Sequence, residues 1–166
     1  DLYTVGTIAK ILQMVKAGQG VLRVFVEGQA RARITSYTEV DGCVKAEVEE
    51  IAYTGYPEST VEEEAFFRML EEGAEEFSEK NPGFFAPQLQ KAIDDKDLLS
   101  LVNELASQLP FELGKKQQIL EEPDIKKQIQ MLLAILTEEV EISIIRNELE
   151  EKVKKNVDKY QKDYLL

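Results

Sequence analysis

Alternation of apolar and polar side chains dominates the first third of the chain. From Val21 the sequence reads VLRVFVEGQARARI, in which every second residue from Leu22 to Ile34 is apolar or small. A period of two sustained over this run predicts a long β-strand with one buried face. Gly28 lies in the middle of the run and predicts a bulge or a bend there.

Turn residues on both sides of this run predict an antiparallel three-stranded meander over residues 4–53. Asp41-Gly42 separates the run from VKAEVEEIAY, and this dipeptide tolerates the positive φ values of a type I′ turn. Upstream, VGTIAKILQMVK precedes a Gly-rich turn at 17–20. Its periodicity also suits a helix, but its position before a turn and a clear strand favours a strand. The same position argues against a phosphate-binding loop, which needs a helix N-terminus after it.

The rest of the chain has the pattern of helices. Ser59 opens a capping box with the sequence STVE, and the Asn-Pro-Gly sequence at 81–83 ends the helix that follows. A short helix is predicted to start near Pro87, and Asp97 is predicted to cap the next one. The segment KKQQILEE leads from there to the last helix.

The last helix is predicted to run from Pro123 to the end, because no Gly or further Pro interrupts it. About forty residues make a helix about 60 Å long. Its first half is apolar enough to pack on the shorter helices, whereas its second half carries one narrow apolar seam among Glu and Lys residues. The helix seam comprises Leu149, Val153, Val157, Tyr160 and Tyr164. A helix that extends beyond its own domain needs a partner, so we expect the seam to meet another copy or a downstream domain.

These elements predict an α+β fold with three regions. An antiparallel β subdomain occupies residues 1–57, short helices occupy 58–122, and the long helix occupies 123–166. Three strands with one apolar face make a thin sheet, and the sequence starts without Met. We therefore expect further strands before the first residue, and without them an unpaired edge at the first strand.

The composition excludes most enzyme chemistry. The chain has no His, which excludes Ser-His and Cys-His nucleophile pairs and His-ligated metals. The single Cys43 can form neither an internal disulfide nor a CxxC zinc site, and we expect an inert strand residue. We therefore expect no catalytic, cofactor-binding or metal-binding residue in this chain.

The net charge and the short length of the apolar runs indicate which partners and which location to expect. A net charge of −12 repels phosphate and anionic lipid, so nucleic acid is not an expected partner. No apolar run approaches the roughly 20 residues of a membrane span, and the lone Cys suits the reducing cytoplasm. Twelve Glu and one base, Arg68, lie between Glu47 and Glu79. Because the helical part of this segment carries Glu doublets, we interpret it as a solvated face rather than a divalent-metal site.

Two aromatic pairs are candidates for contacts with a partner. Phe66-Phe67 and Phe84-Phe85 are adjacent residues, and neighbours on a helix diverge by about 100°. One of Phe66 and Phe67 should therefore lie at the margin of the core, where exposed aromatic surface often marks a binding site. The simpler interpretation, which we favour, is that all four pack between the sheet and the helices.

The chain resembles the N-terminal region of ATP-dependent Lon proteases from end to end. The segment DLYTVGTIAKILQMVKAGQGVLRVFVEGQARARI is similar to that family's VGT-I-x-I-Q-M-x-K run, Gly turn and VRVLVEG-x-x-R-A-x-I strand. The later segments SLVNELASQLPFELGKKQQILEEPDIKKQIQMLLAIL and VKKNVDKYQKDYLL also match. The chain departs from the family pattern in the FEL sequence at 111–113, at Gln128, where Arg is usual, and at Asp163, where Glu is usual.

The resemblance implies a PUA-like β domain that lacks its first strands, a helical domain and a long helix leading towards an AAA+ module. It also implies that the ATP- and Mg-binding P-loop and the Ser-Lys protease dyad lie beyond Leu166. The work implied for these residues is recognition of damaged or unfolded proteins and support of a hexamer. The competing hypothesis is a stand-alone adaptor or structural protein with the same domain on a coiled-coil stalk.

Overall fold

A computed structural model describes residues 2–165, which fold into a three-stranded sheet followed by five helices. The strands are β1 (Val5–Lys16), β2 (Leu22–Val40) and β3 (Cys43–Glu50). The helices are α1 (Thr60–Lys80), α2 (Pro87–Asp94), α3 (Leu98–Gln108), α4 (Leu113–Glu121) and α5 (Ile125–Leu165). The sheet is antiparallel with the order β1-β2-β3. The predicted α+β fold is confirmed, including the assignment of β1 as a strand and of α5 as one long helix.

Both predicted turns join the strands as expected. Asp41 and Gly42 have φ values of 53° and 75°, and a type I′ hairpin turn requires positive φ at both of these positions. Residues 18–20 also have positive φ, and the Ala17 amide donates to the Val21 carbonyl oxygen at 2.8 Å. This bond closes the turn between β1 and β2, so the Gly-rich segment connects two strands.

A bulge in β2 overturns the prediction of one continuous buried face. Gly28 pairs with Ala9 and Ala30 pairs with Ile8, which leaves Gln29 without a partner in β1. Paired residues share a face of the sheet, and the neighbours Ala9 and Ile8 point to opposite faces. The apolar set of β2 therefore changes sides at the bulge. The bulge lies where Gly28 predicts it, but the single buried face is wrong.

Most of the sheet lies away from the helices. Leu22, Val24 and Val26, which share the first face, are 51%, 42% and 58% exposed. Within the described strands, Val5 and Ala32 are the buried residues. The outer edges of β1 and β3 have no strand partner within residues 2–165, which agrees with the expected unpaired edge at β1.

The helix starts follow the predicted capping residues. Ser59 Oγ accepts a hydrogen bond from the Glu62 amide at 3.1 Å, and Asp97 Oδ1 accepts one from the Ser100 amide at 3.2 Å. The Glu62 carboxylate accepts from the Glu58 amide at 2.7 Å rather than from the Ser59 amide of a standard capping box. Each cap satisfies backbone donors that have no partner inside the helix.

The hydrophobic core lies among the five helices. Its largest fully buried side chains are Leu70, Leu89, Leu101, Leu105, Leu109, Ile125, Ile129, Leu132 and Leu136, with Val102 and Gln128. The pair formed by α1 and the first half of α5 is the centre of this core. Gly73 lets the two helices approach closely, because a Cβ there would lie 3.0 Å from Leu136 Cδ1. Burying a leucine in this core contributes roughly 2 kcal/mol to stability.

A small polar joint attaches the sheet to the helices. Arg31 Nη1 donates to the Glu122 carbonyl oxygen at 2.9 Å, and its guanidinium lies 4.7 Å from the centre of the Tyr53 ring. Gln128 Nε2 donates to the same Glu122 carbonyl and to the Ile119 carbonyl, both at 2.8 Å. Turning the Nε2 group towards two carbonyl groups leaves the buried Gln128 Oε1 without a hydrogen-bond donor in the described chain.

The segment that follows β3 completes the joint. The Thr54 amide donates to the Pro123 carbonyl oxygen, and the Ile125 amide donates to the Thr54 carbonyl oxygen, both at 2.9 Å. Asp124 Oδ1 accepts from the Lys127 amide at 3.1 Å and so caps the start of α5. Gly55 has a φ of 63° and lies directly against the Asp124 carboxylate, with no space for a Cβ. The close contact between the start of α5 and the segment after β3 therefore requires glycine at position 55.

A cluster of charges joins the start of α1 to α5. Lys126 Nζ lies 3.3 Å from Glu62 Oε1 and 3.6 Å from Glu58 Oε1. The Glu58 amide and the Lys126 ammonium hold the pKa of the Glu62 carboxyl below its ordinary value of 4.5. Desolvation opposes the charged form of Lys126, but the Glu62 and Glu58 carboxylates outweigh it and raise the pKa of Lys126 above 10.5.

We predict that Gly55→Ala destabilises the protein by more than about 2 kcal/mol, because it adds a steric clash to the cost of a left-handed backbone. Gly83→Ala is the matched control, since Gly83 has a φ of 86° but nothing within 4 Å of the position of a Cβ. It should cost only about 1 kcal/mol. Urea unfolding of both variants measures the difference, and equal losses would show that Asp124 yields to the added methyl group.

We predict that Glu62→Gln lowers stability most at neutral pH. A carboxyl whose pKa is lower in the folded protein contributes stability above its unfolded pKa and loses it as the pH falls through the folded value. The free-energy difference from the parent should therefore shrink as the pH falls below about 4.5. Glu63→Gln removes a charge from the same turn of α1 and should have a smaller effect. Urea unfolding between pH 7 and pH 3 tests this, and a difference that stays constant with pH would contradict it.

Candidate functional site

The described residues offer surfaces for non-covalent binding. Within residues 2–165, no group of three or more Cys, Asp and Glu side chains is placed to hold a metal ion. None of the helices in the same range combines the length and the apolar character needed to cross a membrane. Cys43 lies exposed at the start of β3. The features that remain are the aromatic pairs, the helix seam and a groove between two helices.

The aromatic pairs lie in and around the helical core. Phe67 is buried and Phe66 is half-buried beside it, so the expectation that one of them lies at the margin is confirmed. Phe84 packs edge-on against Phe77 with ring centroids 4.7 Å apart, and Phe85 lies tilted against Phe84 at 5.7 Å. Phe84 and Phe85 are both half-buried.

The location expected for these aromatic residues is wrong in one respect. They pack against a core that contains no residue of β1, β2 or β3, so they do not lie between the sheet and the helices. Most strand residues are exposed, so the sheet lies outside this core. Phe67 lies too deep to contact a partner in this conformation. Contacts between a protein partner and Phe66, Phe84 or Phe85 stay a prediction.

The core ends at a polar clamp between α1 and α5. Asn81 Nδ2 donates to the oxygen of the buried Ser143 hydroxyl at 2.9 Å, and Arg146 Nη2 donates to Asn81 Oδ1 at 2.9 Å. Asn81 Nδ2 also donates to the Phe77 carbonyl oxygen at 3.0 Å, which ties the clamp to the last turn of α1. Asn147 Nδ2 also donates to the Lys80 carbonyl oxygen at 3.5 Å, and every described residue of α5 after Asn147 is exposed.

The helix seam is exposed along its whole length. The exposed fractions are 55% for Leu149, 61% for Val153, 48% for Val157, 79% for Tyr160 and 92% for Tyr164. Ile142 and Ile145 are also exposed and extend the stripe towards the core, which the sequence interpretation missed. From Ile142 to Tyr164 the stripe advances about 3.67 residues per step, the period of an 11-residue repeat. Such a stripe stays on one side of a nearly straight helix, so it can pack against a second helix.

Known proteins are similar to this chain over its whole length. Residues 1–138 match the family model described as the ATP-dependent protease La (LON) substrate-binding domain. The chain is 35% identical over 169 residues to the Lon protease of Clostridioides difficile, covering 100% of this chain and 22% of that protein. It is 32% identical over 166 residues to the Lon protease of Bacillus thuringiensis, covering 100% and 21%. The chain spans about a fifth of the length of the curated relatives it matches.

A solved structure has the same fold. The N-terminal domain of the Mycobacterium avium complex Lon protease aligns with a TM-score of 0.62 and 22% identity, covering 81% of this chain and 70% of that chain. At this identity the likeness supports the architecture alone, a sheet followed by helices with a long last helix.

We predict that Val153→Asp combined with Val157→Asp leaves the helical core intact. Both valines are exposed, and Val and Asp have similar helix propensities, so Tm should change by no more than about 2 °C. Leu136→Ala, in the core, should cost about 2–5 kcal/mol. Thermal unfolding followed by circular dichroism compares the variants. A large loss of Tm in the double variant would show that the seam contributes to the core.

Proposed function

Because the chain belongs to the family of ATP-dependent protease La (LON) substrate-binding domains, we propose that it recognises damaged or unfolded proteins for an ATP-dependent Lon protease. The observation that carries this proposal is the match over residues 1–138, which covers the sheet and almost all of the helical core. The exposed part of α5, from residue 148 onward, lies beyond the matched region.

The proposed recognition is weak and relies on apolar contact. Unfolded proteins expose apolar segments that folded proteins bury. Phe66, Phe84 and Phe85 lie half-buried at the margin of a rigid core, so a partner can cover them without disturbing the fold. Aromatic side chains provide a large contact area with few rotatable bonds. Several copies in one assembly raise the overall affinity through avidity.

The helix seam is proposed to mediate the association of this domain into a homo-oligomer, which is a hexamer in the longer protease. Its exposed apolar stripe runs along one side of α5 and is suited to pairing with a neighbouring helix. In this proposal, other parts of the longer protein bind ATP and Mg. Peptide bonds are cut there by a Ser-Lys dyad. A cytoplasmic location belongs to the same proposal.

We expect the 166-residue chain to bind reduced, carbamidomethylated α-lactalbumin, whose blocked thiols carry no added charge, at least about tenfold more tightly than native α-lactalbumin, because only the unfolded form exposes apolar segments. Fluorescence anisotropy with labelled lactalbumin measures both affinities. Phe66→Ala should weaken binding of the unfolded form about fivefold, which is near the cost of an average important contact.

The matched control is Val61→Ala, an exposed apolar side chain on the same helix that lies outside the aromatic margin. It should leave the affinity unchanged, and Tm values of both variants exclude a general loss of folding. Equal binding of native and unfolded lactalbumin would refute the proposed function. Equal effects of the two variants would instead remove Phe66 from the contact surface.

A further inference from the structure

A groove between α1 and α5 forms a surface separate from the helix seam. Its volume is about 430 Å³. The floor is apolar and the rim is acidic. The apolar side chains are Met69, Leu133, Leu136, Val140 and Ile144, and the rim carboxylates are Glu72, Glu76 and Glu141. This combination of an apolar floor with charges of one sign around it sets the chemistry of what can bind there.

The groove exists because of how the two helices meet. Gly73 lies between Glu72 and the turn that carries Glu76, and without a side chain it leaves the backbone of α1 open along the groove. Met69 and Ile144 stand at the two sides and are 51% and 37% exposed. The floor is already held in place by the packed core beneath it, so a ligand would not have to order it.

The carboxylates of the rim are not neutralised by the protein. The ion pairs within residues 2–165 involve other glutamates, such as Glu64 with Arg68 at 2.9 Å and Glu138 with Lys115 at 3.0 Å. No Lys or Arg is among the residues that line the groove in this part of the chain. The net charge of −12 adds a long-range field of the same sign. The groove therefore attracts cations and repels anions.

We propose that this groove binds a short apolar segment flanked by Lys or Arg residues in an unfolded protein substrate. This inference rests on the proposed function and specifies which segments are selected. The apolar side chains of the segment would cover Met69 and Ile144, where the flexible thioether of methionine adapts to different shapes. The flanking cations would form charge-assisted hydrogen bonds with Glu72 and Glu76.

The same arrangement selects against other segments. An apolar segment with Asp or Glu on its flanks would place like charges at the rim, which costs affinity and slows association. A basic segment without apolar residues would leave the floor uncovered and gain only screened surface charge pairs. The groove thus recognises two properties together, an apolar centre and basic flanks.

Four labelled heptapeptides test this inference: Leu-Phe-Leu flanked on each side by two Lys, two Ser or two Glu, and Ser-Ser-Ser flanked by two Lys. Anisotropy at 50 mM and 300 mM NaCl gives their affinities for the 166-residue chain. We expect the Lys-flanked apolar peptide to bind at least about tenfold more tightly than the Glu-flanked one at low salt. This preference should decrease at high salt because the rim is solvent-exposed.

The variant that tests the rim is Glu72→Lys with Glu76→Lys. The matched control is Glu75→Lys with Glu79→Lys, which makes the same charge change at the same spacing on α1 but outside the groove. The first pair should abolish the preference for Lys flanks and the second should retain most of it. Equal effects of the two pairs would overturn the proposed groove site, because general surface charge would then explain the binding. Binding of the Lys-flanked Ser-Ser-Ser peptide as tight as that of the Lys-flanked Leu-Phe-Leu peptide would overturn it for the same reason.

The outcome for the groove is distinguishable from that for the proposed function. If unfolded lactalbumin binds but the peptides show no dependence on flanking charge, the groove inference is wrong and the proposed function stands. If lactalbumin does not bind but the Lys-flanked apolar peptide does, with sensitivity to Glu72 and Glu76, the proposed function fails. The groove is then supported as a docking site for a basic, apolar segment of another kind of protein partner.

Discussion

The carbonyl oxygen of Glu122 holds together two parts of the molecule that share no hydrophobic core. It accepts hydrogen bonds from Arg31 of β2 at 2.9 Å and from Gln128 of α5 at 2.8 Å. Beside it, Gly55 lies against Asp124, which caps α5. Because the sheet buries little apolar surface on the helices, these few polar contacts set its position relative to α5. Polar contacts of this kind are geometrically specific but contribute modestly to stability, so the joint is the part of the fold that depends most on single residues.

The helical core supports two different kinds of surface. On the packed half of α5, the closeness of α1 and α5 at Gly73 creates a groove with a rigid apolar floor and acidic rim. After Asn147, every described residue of α5 is exposed, and this part of the helix carries an apolar stripe. The first surface is preorganised and suits the capture of a flexible segment. The second gains stability only by pairing with another helix, which suits a role in assembly.

The acidic character of the chain acts locally as well as globally. Glu58 and Glu62 at the start of α1 are used structurally, since they hold Lys126 of α5. Glu72 and Glu76, further along the same helix, have no such partner within the described residues. Glutamate therefore stabilises a contact between helices at the start of α1, whereas further along the same helix its negative charge is not compensated by a nearby cation in residues 2–165. This distribution follows from the position of Lys126 in the first turn of α5.

The amino-acid sequence by itself determined the elements, their turns and caps, and the exposed seam of α5. Each of these depends on neighbours within about four residues, such as Asp41-Gly42 or Ser59 with Glu62. The segments that resemble Lon proteases also identified the family. Only the tertiary structure decided which face of the sheet each β2 side chain occupies, because the bulge at Gln29 depends on the register of β2 with β1. It also decided the joint between Arg31 and Glu122 and the groove beside Gly73, since residues tens of positions apart meet there and local periodicity carries no information about such contacts.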